Sequence, residues 1–169
     1  MIAFEDRLSD IVGILPKITV DSTELQINFD WGTEEVLAKY LLLNGKMSFP
    51  LIWLVEGQDD NDLREPNVSR KARLVFLYES QAPDEFNTYQ HKYYYDLILQ
   101  PMLDNFITAL YGAGVCRFDE KSIKTQRVKN YSMRKIEESL LFICNAIVVD
   151  IDLTMYGNAS CINKNILFN

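Results

Sequence analysis

A compact single domain of mixed helices and strands is what this sequence predicts, and three stretches carry the prediction. Residues 51–55 and 72–78 are apolar on both alternating faces, as expected of central strands covered on each side. Residues 89–110 repeat apolar side chains at helical spacing, and residues 142–155 alternate apolar and polar like a long one-sided strand. A chain of 169 residues with 48% hydrophobic content is long enough to bury a sizeable core, and its 12% aromatics argue against intrinsic disorder.

The elements follow in order. Phe4, Leu8, Ile11, Val12 and Leu15 predict a first helix, with Glu5, Asp6 and Asp10 in its early turns, where the helix dipole favours acids, and Pro16 to stop it. Leu25, Ile27 and Phe29 alternate with Glu24, Gln26 and Asn28, which predicts a half-buried strand. Thr33 is placed to cap a helix through Val36, Leu37, Tyr40 and Leu41, closed by Asn44 and Gly45.

The connection between the two central strands, residues 56–71, is polar and unusually long for a hairpin. In residues 89–110, Tyr94, Ile98, Met102 and Phe106 form one apolar column and Tyr95, Leu99, Leu103 and Ile107 the next. Asp96, Gln100, Asp104 and Thr108 form a polar column opposite, so this helix should cross a sheet with one face wet. Pro101 should kink it. A weak strand is expected over 123–131. Residues 1–156 then read as one domain with an acidic loop at 56–71, and 157–169 as an extended C-terminal arm without apolar periodicity. Neither loop nor arm should offset its own ordering entropy without a partner.

Charge is unevenly distributed within a net −7. Residues 56–65 carry five acids against Arg64, whereas residues 117–135 carry seven bases against Asp119 and Glu120. Two readings follow: solvated loops, or an acidic loop on one subunit that meets its neighbour's basic segment. The candidate contact residues are Asp59, Asp60 and Asp62 against Lys124, Arg127 and Lys129. Tyr89 and Tyr93 join them, as the members of the tyrosine cluster 89, 93, 94, 95 suited to anchor an interface. The acidic balance disfavours general nucleic-acid binding.

No residue pattern for catalysis stands out. His91 is the only histidine, and Cys116, Cys144 and Cys161 are too widely spaced for a zinc site or a disulfide framework. Asp150 and Asp152 share a strand face, a spacing able to hold a hard cation, although a solvated face or a subunit contact is the commoner outcome. No phosphate loop or nucleophile elbow is present. The expectation is no catalytic residue, no metal and no cofactor. The acidic N-terminus and the lack of a long apolar run predict neither secretion nor a membrane span, hence a cytoplasmic setting.

The sequence resembles the small neck and tail-completion proteins of tailed bacteriophages, the tail-terminator and head–tail connector group. Its texture is nearest those of phages of Bacteroidetes hosts, including crAss-like phages. The resemblance rests on Phe49-Pro50-Leu51-Ile52-Trp53-Leu54, on Tyr78-Glu79-Ser80 closing the next strand, on Pro83, Phe86 and Tyr89, on the helix with Pro101, and on the strand from Asn145 to Leu153. It implies an α+β, tail-terminator-like single domain with helices against a mainly antiparallel sheet. It further implies a virion protein assembled in the host cytoplasm as a homo-oligomeric ring of about six or twelve copies. Adjacent portal, connector or tail proteins would be its partners, and DNA would pass through the ring without specific binding. The helical insert at 33–44, the acidic loop and the arm depart from the family pattern. The alternative is a non-enzymatic adaptor that binds one protein through the acidic loop.

Overall fold

The computed structural model describes residues 3–61, 66–80, 91–129, 131, 144–159 and 161–168. Helix α1 (Phe4–Gly13) buries Phe4, Leu8, Ile11 and Val12. Strands β1 (Ile18–Val20) and β2 (Thr23–Leu25) form a separate hairpin. Its two turn residues, Asp21 and Ser22, both have positive φ, 49° and 67°, the backbone twist that a two-residue hairpin needs. The strand expected over 24–29 is therefore divided: its first half belongs to this hairpin, and β3 (Asn28–Gly32) enters the main sheet.

Helix α2 (Glu34–Asn44) starts and stops where its capping residues demand. Thr33 Oγ1 accepts from the Val36 N–H at 3.3 Å, and Gly45, at φ 59°, takes the left-handed conformation that ends it. A short 3₁₀ turn leads to β4 (Leu51–Val55), then β5 (Asp60–Asn61) and β6 (Val68–Glu79). The expected loop 56–71 thus contains strand at 60–61 and 68–71, because β5 pairs with the start of β6.

Residues 91–112 are not one kinked α-helix. His91–Leu99 winds as a π-helix and Gln100–Gly112 continues as α3. The change falls beside Pro101, which has no N–H to donate and whose ring would collide with the carbonyl four residues back in an α-turn; a wider turn relieves both. The apolar columns survive: Tyr94, Tyr95, Ile98, Leu99, Met102, Leu103 and Phe106 are all buried. Strands β7 (Cys116–Phe118), β8 (Lys124–Val128) and β9 (Cys144–Met155) complete the chain.

The class is α+β, but the main sheet is mixed rather than mainly antiparallel, because β3 runs parallel to β4. That direction follows from α2, which carries the chain back from the end of β3 to the start of β4. The strand order is β3-β4-β6-β9-β7, with β5 added on β6 and β8 added on β9. Helices cover both faces. Phe76 meets Phe106 of α3 on one side at 5.5 Å between ring centres, and Trp53 meets Tyr40 of α2 on the other at 5.6 Å.

Residues 161–168 form neither helix nor strand and make contacts with the body of their own chain. Asn163 donates its N–H to Ala113 O at 3.0 Å and its side-chain amide to Gly112 O at 3.1 Å. Arg7 donates to Ala159 O, and Ile162, Ile166 and Phe168 pack against the core. At the arm's root, Gly157 lies so close to the Pro66 carbonyl that any Cβ would collide with it.

One buried cation ties α1 to the sheet. The Arg70 side chain, 4% exposed, donates to Glu5 at 2.8 Å and to Asp59 at 2.5 Å, and lies 4.4 Å from the centre of the Phe4 ring. Burial pulls its pKa down, but the hydrogen bonds and charges of Asp59 and Glu5 outweigh that and raise it.

Two results should follow. Glu5→Gln with Asp59→Asn, which strands a buried guanidinium, should cost about 3–5 kcal/mol in urea unfolding, more than Arg70→Met, whose two carboxylates can hydrate. A smaller loss for the double variant than for Arg70→Met would refute this account. Gly157→Ala should expose the arm to limited proteolysis while leaving the thermal transition of the body within a few degrees; unchanged cleavage would mean the Pro66 contact does not hold the arm.

Candidate interaction surfaces

The residues expected to meet across a subunit boundary are placed unequally. Asp59 is bound to Arg70 of its own chain, although its side chain stays 32% exposed. Asp60 sits in β5 opposite Ser69, while Asp62 and Tyr89 lie outside the described residues. Of the acidic side of the expected contact, Asp59 thus has a partner within its own chain. Its bonding partner, Arg70, lies eleven residues along the chain and brings the loop back onto β6.

The basic side keeps its exposure. Lys124, Thr125, Gln126 and Arg127 are all exposed on β8, although alternate residues of a strand point to opposite faces. Arg127 lies 3.6 Å from Asp96 and 5.3 Å from the centre of the Tyr95 ring, and Lys129 follows in the turn after the strand. Tyr93 is half-buried: its hydroxyl donates to Asp21 at 2.6 Å and its ring stands edge-on to Tyr94 at 5.0 Å. Tyr94 and Tyr95 belong to the core, and burial pushes the Tyr95 hydroxyl up to about 12.

Among the described residues, β3 ends the sheet on one side, and β7 and β8, both paired with β9, end it on the other. On β3, Asn28 N–H donates to Pro50 O at 2.8 Å and Gly32 O accepts from Glu56 N–H at 3.0 Å. Residues 28, 30 and 32 thus turn their backbone groups inward, and Phe29 and Trp31 turn theirs outward. Trp31 N–H is met by Asp30 Oδ1 at 2.8 Å, and the Trp31 ring is 44% exposed. Val36, Leu43 and Met47, along and just past α2, are exposed as well. Sequence reasoning missed this edge, because the residues of β3 do not name the strand that pairs with it or the side left open.

A groove of about 1150 Å³ runs between α2 and the sheet. Leu37, Ala38 and Leu42 form one wall, and Val55, Gln58 and Val128 form the other. Its lining is mainly apolar, and no buried unpaired polar side chain among the described residues belongs to it.

The two aspartates considered for a cation do not cooperate. Asp150 accepts both Arg73 nitrogens, at 2.7 and 3.0 Å, across the β6–β9 pair, while Asp152 is exposed. The Arg73 hydrogen bond holds the Asp150 carboxyl below its ordinary value. Among the described residues no group of three His, Cys, Asp or Glu side chains is assembled to hold a metal, and no helix is long and apolar enough to cross a membrane. Cys116 is buried, which pushes its thiol up to about 11, and Cys144 is buried too; Cys161 is exposed on the arm. No known family's sequence model matches the chain, and no curated protein matches it.

Asp150 gives a pH signature with a definite sign. Its lowered pKa stabilises the fold above the ordinary carboxylate range, and that contribution is lost as pH falls through the lowered value. Because the pair is exposed, Asp150→Asn should cost no more than about 1 kcal/mol near neutrality, a cost that vanishes once pH has fallen below the lowered value. A cost that persists in acid would point to packing instead. A thiol reagent should modify Cys161 at least about a hundredfold faster than Cys116 or Cys144 in the folded protein, since it is exposed and they are buried.

Proposed function

We propose that this chain is a structural ring subunit of a tailed-phage virion, acting at the head–tail junction or tail end around the DNA channel. The observation that carries the reading is the pair of unlike lateral edges on one rigid sheet. One edge is basic and exposed through residues 124–127, and the other is flanked by exposed apolar side chains. Unlike edges suit head-to-tail association, which gives a ring when the rotation per subunit closes. Residue chemistry accords with a non-enzymatic role, since the conspicuous ionisable groups, Arg70, Glu5, Asp59, Arg73 and Asp150, bind one another. A net charge of −7 suits a wall past which DNA must slide. The adaptor reading through the acidic loop loses ground, because Asp59 is held by Arg70.

The test is the composition of purified phage particles. The protein should be found there by quantitative mass spectrometry at several copies per portal, and electron microscopy should place it at the neck or tail end. Its absence from particles whose genome encodes it would sink the proposal.

A further inference from the structure

We infer that the β8 edge of one copy docks against the β3 edge of a second copy, so that the sheet continues from subunit to subunit. This deepens the ring reading and rests on it. Three features point to the pairing. Both strands end the sheet among the described residues, and on β3 the outward backbone groups belong to Phe29 and Trp31, whose ring is 44% exposed. β8 offers four consecutive exposed residues, a strand accessible on both faces. The charges are complementary. Lys124 and Arg127 stand on β8, while Asp30 lies on β3 and the exposed Asp6 and Asp10 lie on α1, which packs over β3.

The chemistry of the contact is specific. A strand added beside β3 would meet the carbonyls of Phe29 and Trp31, and Asp30, which now caps the Trp31 N–H, would be free to exchange that donor for a Lys or Arg of the incoming edge. Trp31 gives a flat apolar face for the stems of those long side chains. Two like edges cannot do this, because β8 against β8 brings bases together. The same bases on an unpartnered strand would act to prevent edge-to-edge aggregation, and that is the competing account.

The experiment uses the full chain with Cys161→Ser, leaving only buried native thiols. Trp31→Cys and Thr125→Cys are made singly and together, and treated with a short bis-maleimide. Mixing the two single variants should give a cross-linked dimer that neither gives alone, and the double variant should give a ladder of multimers. Adding Lys124→Glu and Arg127→Glu should lower the cross-linked fraction about tenfold at low salt, and Asp10→Lys with Asp30→Lys in the same chain should recover much of it. Folding of each variant is checked by its thermal transition. Cross-linking of Trp31→Cys to itself would assign the β3 edge to a symmetric dimer and overturn the inference. Oligomers that sediment but do not cross-link would overturn the edge pairing and leave the ring reading standing. A protein that neither sediments as an oligomer nor cross-links at any concentration overturns the second copy as occupant, consistent with bases that merely guard a free edge; the ring reading is then decided by particle composition alone.

Discussion

The antiparallel ladder between β6 and β9 organises everything else. It runs in one unbroken register from Val68 opposite Met155 to Glu79 opposite Cys144. β4 and β5 attach to its β6 side, and β7 and β8 attach to its β9 side. The alternation along both strands assigns the faces: Phe76, Leu74, Ile147 and Val149 share one, and Val75, Arg73, Val148 and Asp150 share the other. A one-residue slip of β6 would turn Arg73 toward the α3 layer, carry Phe76 away from it and part Arg73 from Asp150, so the register is strongly specified.

Polar interactions at the margins of this core fix where the ends of the chain lie. Arg70 sits at the start of β6 and gathers α1 through Glu5 and the 56–59 segment through Asp59. Arg7, also buried, reaches the arm at Ala159 O. Such contacts add little net stability over an apolar replacement, but each is costly to break one-sidedly, so they restrict α1 and the arm to a single placement. The arm in turn closes over the end of α3, where Ile166 would lie 2.8 Å from any Cβ at Gly112.

The surface divides labour between charge and apolar area. Exposed ion pairs contribute only about 0–1 kcal/mol each, so affinity at any subunit boundary must come mainly from apolar contacts such as Trp31, Val36 and Leu43 can make. Charge sets encounter rate and register. An acidic protein with a basic sheet edge suits the proposed arrangement, in which most orientations of two copies would be repulsive and one attractive.

Local patterns were legible without the fold. The apolar columns of residues 94–106, the Thr33 cap, the Gly45 stop and the alternation along β9 all depend on neighbours within a few residues, where spacing alone dictates which side chains share a face. Contacts between distant segments were not. That β3 runs parallel to β4, that residues 60–61 pair with β6, and that Asp59 binds Arg70 each depend on a partner the local sequence does not name. The π-turns before Pro101 come from a backbone collision whose relief depends on the sheet beneath. The open edges are likewise a tertiary fact, because a strand's outer hydrogen-bonding groups look the same in sequence whether another strand covers them or not.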